Sequence, residues 1–322
     1  MVSAYRFDAE QSERVEDWAA ASKHVDSAEL LWLALREPSD DEMAELVGAL
    51  ELGEDRVPLL RNPAERASVA DDGQHLYVTL VAVAGEEDAP TLVSVACVLG
   101  PNWVVTAHGD EIAVLDEFLE RAEGGGEIGA LDAPSFVAAI GEWVVASYLR
   151  AFEAVESALE ELDAKVISQT PSRDVSAELA RLVELRLRVG SLRRALAPHR
   201  EVVSSLAHPE LDALSTETSG ERFAELERRV TQALDVAGDT KESIFGSFDL
   251  LVARIGQRTN DIMKVLTLGT VTLLPATVLA GVMGMTFEVG LFNYAWLYWV
   301  VIASMLAIAA LVLAAARPRE WI

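Results

Sequence analysis

Val265-Leu-Thr-Leu-Gly-Thr270-Val-Thr-Leu-Leu-Pro275-Ala-Thr-Val-Leu-Ala280-Gly-Val-Met-Gly-Met285-Thr-Phe287 is a run of 23 residues without a charge. As a helix it extends about 34 Å, enough to cross a hydrocarbon layer about 30 Å thick. Tyr294 to Ala316 is a second uncharged run of 23 residues. Basic residues lie outside the pair: Arg254, Arg258 and Lys264 before the first run, Arg317 and Arg319 after the second. The loop between the runs has no base and carries Glu288. The positive-inside rule therefore predicts two membrane spans with both termini cytoplasmic and a short external loop. Phe287, Phe292, Tyr294, Trp296, Tyr298 and Trp299 crowd that loop and the start of the second run, where aromatic rings anchor a membrane interface.

Charge divides the chain in the same place. Its 322 residues hold 52 acids and 26 Lys or Arg, a net charge of -26. From Val265 onward only Glu288, Arg317, Arg319 and Glu320 are charged, and they cancel, so the whole excess lies in residues 1–264. A net-anionic region without a basic patch repels a phosphate backbone, which argues against a nucleic-acid partner. Cys97 is the single cysteine, so no intramolecular disulfide and no multi-Cys metal site can form. The N-terminus has no apolar run of signal-peptide form, and the bulk of the chain is expected to stay in the cytoplasm. No GxxxxGK[ST] loop and no nucleophile elbow is present, and the five histidines (24, 75, 108, 199 and 208) lack ligand spacing. An enzyme is not indicated, and no cofactor is expected.

Residues 1–132 read as a compact α/β unit with antiparallel hairpin character. Leu30 to Leu35 is a buried strand; Ser39 and Glu42 are spaced as a capping box at the start of a helix. Strands follow over His75–Ala84 and Thr91–Leu99, and Gly100-Pro101-Asn102 turns into another at Trp103–His108. A helix over Glu111–Ala122 ends at Gly124 to Gly126. Residues 133–220 turn to long helical patterns, about Pro134–Ile167 and Asp174–Leu206. Residues 221–264 form a stalk helix that continues into the first span, 265–287. A loop over 288–293, the second span over 294–316 and a basic tail over 317–322 complete the chain.

Phe223, Val230, Ala237, Ile244 and Leu251 recur every seven residues in the stalk, the spacing of a face that packs on a partner helix. An unbroken helix from Glu221 to Thr286 would span about 100 Å. Extended into the membrane run, the heptad gives two series: Asn260, Thr267, Leu274, Gly281 and Met263, Thr270, Thr277, Gly284. Together they step by three or four and make one stripe of small and polar residues. Such a stripe lets helices pack closely, with threonine hydroxyls bonding their own backbone. Alternatively, several copies around an axis place it on a pore.

Arg258-Thr-Asn260-Asp-Ile-Met263-Lys264-Val-Leu-Thr267, then Leu274-Pro275, Ala280-Gly281 and Gly284-Met285-Thr286-Phe287-Glu288, resemble the membrane end of the CorA family of divalent cation transporters. The tail Arg317-Pro-Arg-Glu-Trp321 and the segment Leu99-Gly-Pro-Asn-Trp-Val-Val-Thr-Ala-His108 are similar to parts of the same family. The resemblance implies a funnel-shaped homopentamer: an α+β cytoplasmic domain, a long helical stalk and a two-helix transmembrane hairpin, in the cell's inner membrane. It implies that Asn260 rings the cytoplasmic side of the pore and that Met263 and Leu266 form a hydrophobic gate. Thr267, Thr270, Leu274, Thr277 and Gly281 would line the path outward. The signature triplet at the outer mouth is Gly-Met-Asn in the family and Gly284-Met285-Thr286 here, with Glu288 following. A threonine hydroxyl still accepts hydrogen bonds from coordinated water, with a shorter reach and weaker dipole than an amide.

Mg²⁺ holds its waters tightly, and neutral oxygens can bond that shell without stripping it. The stripe has no Asp, Glu, His or Cys, so no tight site for softer metals is evident in it. The expected function is passage of Mg²⁺, with Co²⁺ or Ni²⁺ as further permeants, through a pentameric pore down the electrochemical gradient. Zn²⁺ transport is an alternative within the superfamily; a non-conducting, membrane-tethered cation sensor is an alternative of another class. Glu153, Glu156, Glu160, Glu161 and Asp163 are candidate regulatory carboxylates, equally readable as a solvated helix face.

Overall fold

The computed structural model describes residues 2–8, 12–22, 29–36, 38–53, 56–86, 89–109, 131–168, 175–207, 217–284 and 295–316. The helix expected at Glu111–Ala122 with its glycine end, the loop around Glu288 and the basic tail lie outside these residues. Two compact units divide the chain, Met1–Ser247 and Phe248–Ile322.

The first unit is built on a seven-stranded sheet. Its strands are β1 (Val2–Phe7), β2 (Ser12–Val15), β3 (Leu30–Arg36), β4 (Ser68–Asp71), β5 (Leu76–Glu86), β6 (Ala89–Leu99) and β7 (Trp103–His108). They lie in the order β2-β1-β3-β7-β6-β5-β4. Every neighbouring pair is antiparallel except β3 and β7, which run parallel with Leu31 opposite Trp103. The hairpin character expected from the sequence therefore holds for β5, β6 and β7, while the β3–β7 join is a long-range pairing.

Side-chain alternation along β3 feeds two cores, because successive strand residues point to opposite faces. Leu31, Leu33 and Leu35 join Met43, Leu46 and Leu50 of helix α2 (Asp40–Leu50) and Leu60 of α3 (Val57–Arg61); a short α1 (Trp18–Ala21) packs beside them. Trp32, between them, faces the other way and meets Phe136 at 5.2 Å between ring centres. Its indole N–H is satisfied at full burial by Thr106 Oγ1 at 2.9 Å. Phe136 belongs to α4 (Ala133–Ile167), so the sheet is covered on both faces. The Ser39–Glu42 capping box is present: Glu42 N donates to Ser39 Oγ, and Ser39 N donates to Glu42 Oε2. That backbone donor holds the Glu42 carboxyl below its ordinary range.

β5 outruns its neighbour β4, whose last pairing is Ser68 with Thr79. Beyond it the helices take the place of a strand. Val81 N donates to His199 Nε2 at 3.0 Å, Val83 N donates to Ser147 Oγ at 3.0 Å, and Tyr148 Oη donates to the Val81 carbonyl at 2.9 Å. Ser147 and Tyr148 lie on α4, His199 on α5 (Val175–Ala207). Because its Nε2 accepts, His199 is neutral, and burial pushes its pKa down to about 4. Burial likewise pushes the Cys97 thiol up to about 12.

Helix α6 (Glu217–Met283) has 67 residues. Its predicted seam is buried at every step: Phe223, Val230, Ala237, Ile244 and Leu251 are at most 3% exposed. A second series, Leu226, Ala233, Thr240 and Ser247, interleaves with it and is also buried. Up to Ser247 the helix runs parallel to α4. Leu226 packs on Gly141, Arg229 pairs with Glu142 at 3.7 Å, Thr240 Oγ1 lies 2.8 Å from Glu156 Oε1, and Ser247 Oγ donates to Asp163 Oδ2 at 2.8 Å. The contacts keep one register over four helical turns or more, as parallel helices with matched heptads do. In the second unit, α7 spans Ala295–Ala316, 22 residues.

Candidate functional site

The end of α6 has the composition of a membrane helix and the surface of one. Among the described residues, the helix Thr218–Val282 is long and apolar enough to cross a membrane, and none of its most apolar window is buried. Leu266 and Leu274 are each 62% exposed and Met263 is 53% exposed. Large apolar side chains left open in this number belong against lipid or other copies rather than water. The described apolar stretch of α7, Trp299–Val312, is shorter. Trp296 and Trp299 of the expected interfacial belt stand exposed at its start.

From Asn260 to Val282 on α6, and along the described part of α7, half-burial is one-sided. On α6 it falls on Lys264, Leu268, Thr272, Pro275, Ala276 and Leu279; on α7 it includes Val301, Met305, Ile308 and Val312. Both sets step by three or four, one stripe on each helix. At 100° per residue the covered stripe of α6 lies roughly 140° around the helix from the small and polar stripe. Asn260, Met263, Thr267, Thr270, Leu274, Thr277 and Gly281 are all exposed, on the side that the chain itself leaves bare. Leu266 sits at the margin of that stripe and is also exposed.

Two of the three stripe threonines are arranged to accept. Thr270 Oγ1 donates to the Leu266 carbonyl and Thr277 Oγ1 to the Leu273 carbonyl, each at 2.9 Å. One hydroxyl has one proton, so each side chain turns only lone pairs outward. Gly284 closes the helix, its N–H donating to the Ala280 carbonyl at 2.9 Å. Met285, Thr286 and Glu288 lie outside the described residues.

The five candidate regulatory carboxylates separate. Glu153, Glu160 and Glu161 are exposed, and Glu161 holds Lys165 at 2.8 Å. Glu156 and Asp163 turn instead toward the seam of α6, where they meet Thr240 and Ser247. Reading the heptad from apolar residues alone missed these two polar seam positions; the i+3 offset from Ala237 and Ile244 was the signal that could have found them. Among the described residues no three His, Cys, Asp or Glu converge on a metal position.

An α/β unit and a bare apolar helical end carrying a stripe of acceptor oxygens define a membrane-inserted protein with a large aqueous domain. A model of the family described as CorA-like Mg²⁺ transporter protein matches residues 27–316. The cobalt/magnesium transport protein CorA of Methanocaldococcus jannaschii is 23% identical over 303 residues, 91% of this chain and 92% of that protein. The protein of the same description from Thermotoga maritima is 26% identical over 180 residues, 56% of this chain, and the match spans half of its length. The complete structure of the M. jannaschii CorA magnesium transporter superposes with a TM-score of 0.80 at 21% identity, covering 99% of this chain and 98% of that one. The chain belongs to the CorA-like Mg²⁺ transporter family. It is a transport protein of the membrane, not an enzyme.

Proposed function

We propose that this chain is one subunit of a homopentameric pore that passes hydrated divalent cations, Mg²⁺ first and Co²⁺ or Ni²⁺ as further permeants. The observation that carries the reading is the stripe on α6, which is exposed, faces away from the half-buried side and presents threonine oxygens whose protons are already committed. The water shell of a cation points hydrogens outward, and acceptor-only oxygens are the complement of that shell. Neutral donors hold the ion weakly enough for release. The membrane potential supplies roughly 4.6 kcal/mol per 100 mV to a divalent ion moving inward, twice the single-charge value.

In this reading Val265–Phe287 and Tyr294–Ala316 are the two spans, both termini are cytoplasmic and the membrane is the inner one. Asn260 and the Gly284-Met285-Thr286 mouth contact the hydrated ion, and Met263 and Leu266 close the path. Support comes from family membership and from the names of the relatives, which transport cobalt and magnesium. Uptake of Mg²⁺, Co²⁺ and Zn²⁺ into proteoliposomes under an imposed potential tests it. Mg²⁺ is expected to enter fastest; entry of Zn²⁺ alone, or of no ion under any gradient, overturns the assignment.

A further inference from the structure

Two of the bare helix faces in the first unit have reciprocal chemistries. On α5 the exposed face begins with Leu179, Val183 and Leu187, at 45%, 43% and 66% exposure. After Gly190 it turns mainly basic, with Arg193, Arg194 and Arg200 exposed around Ala197 and one acid, Glu201, beside them. These three arginines make no ion pair among the described residues, in a chain with twice as many acids as bases. On α4 the order is reversed. After Arg150 come Glu153, Ser157, Glu160 and Glu161, with Glu161 holding Lys165, then Ala164 and Ile167, the last 62% exposed. Glu153 and Glu160 make no ion pair among the described residues either.

The structure assigns these faces to each other: we propose that α5 of one copy lies antiparallel along α4 of the next. One register satisfies both halves. Leu187 meets Ile167, Gly190 meets Ala164, Arg193 and Arg194 meet Glu161 and Glu160, and Ala197 meets Ser157, with Arg200 within a turn of Glu153. The contact joins different copies because α4 and α5 of one chain already pack on each other, and Leu159 and Leu162 on α4 and Leu185 and Val189 on α5 are buried. Their bare faces are the opposite ones. A contact using unlike surfaces on the two partners is heterologous and repeats until a ring closes. The inference rests on the proposed assembly and specifies one contact within it. Exposed ion pairs contribute little each and the patch is small, so it sets the angular register of a ring held together elsewhere.

The test uses the full-length protein. Two differently tagged chains are coexpressed, one with Ser157→Cys and the other with Ala197→Cys; native Cys97 is 1% exposed, and the parent protein without added cysteines is the control for its labelling. A short bis-maleimide is expected to give a product containing both tags, in excess of any product joining two copies of one tagged chain. Adding R193E/R194E to the second chain is expected to lower the yield about fivefold, and E160R/E161R in the first to restore it to within about twofold. Absence of the mixed product from a sample that native mass spectrometry finds oligomeric overturns the contact and leaves the assembly standing. A yield indifferent to charge reversal also overturns it. A monomeric mass overturns both.

Discussion

Thr277 donates its hydroxyl proton to the Leu273 carbonyl, so what it offers beyond its own helix is an acceptor and a small methyl. Thr277→Val keeps the shape and removes the acceptor. Losing a hydrogen bond to a charged, hydrated partner costs about 1.5 kcal/mol or more, so Mg²⁺ uptake is expected to fall about tenfold per turnover. Thr277→Ser keeps the oxygen and is expected to stay within about twofold of the parent; equal uptake by the valine and serine variants would show the side chain does not meet the ion. In the proposed pore, Thr286→Asn would lengthen the reach to a hydrated ion, and half-maximal uptake is expected at lower Mg²⁺ concentration. His199 makes a different prediction. Its folded pKa of about 4 lies below the ordinary value of 6.5. As pH falls from 6.5 to 4 the unfolded chain binds a proton that the folded one refuses, so stability decreases through that window, by up to about 3 kcal/mol. His199→Gln retains an acceptor for Val81 N and does not titrate. Its thermal unfolding should depend less on pH between 4 and 6.5 than that of the parent protein, and identical slopes would contradict the buried neutral imidazole.

Among the elements, the α4–α6 pair is the one whose tolerance is tightest. A Cβ on Gly141 would come within 2.5 Å of Leu226 Cδ2, and Leu226 is 2% exposed with little room to give. Gly141→Ala is therefore expected to destabilise by about 1–3 kcal/mol, measured by denaturant unfolding, despite the higher helix propensity of alanine. Added Leu226→Ala should recover part of the loss, because the two changes share one gap. This seam shows what the sequence reveals and what it hides. Phe223 to Leu251 repeat every seven residues and announce a packed helix, and Leu30 to Leu35 with the Ser39–Glu42 spacing announce a strand and a capped helix. The partner of the seam is not written in the repeat; it is α4, in register across 84 residues at Thr240–Glu156 and Ser247–Asp163. Strands β1, β2 and β4 are short and lack strong alternation, so they gain their form from neighbours. The parallel β3–β7 pairing joins residues about seventy apart, and no local pattern encodes it. The acceptor stripe was legible as periodicity, whereas its bare exposure and the committed threonine protons are properties of the folded helix.

For the molecule as a whole, the charge of -26 lies in residues 1–264, and the proposed ring of copies would multiply it. Such a field would concentrate cations around the acidic region and fades within about 10 Å at 0.1 M salt. If the field acts on transport, raising monovalent salt from low to physiological ionic strength should weaken the apparent interaction of Mg²⁺ with the cytoplasmic side, measured by isothermal titration. A salt-independent response would limit the charge to solubility. The sheet edge has a consequence of another kind. Val81 and Val83 lie past the end of β4, so on that side β5 has no strand partner, yet their amides are held by His199 and Ser147 on two different helices. Neither amide can reach solvent until helix and sheet part. Hydrogen–deuterium exchange at these two sites therefore reports separation of the layers, and it should be as slow as exchange deep in β6, although β4 stops short of both amides.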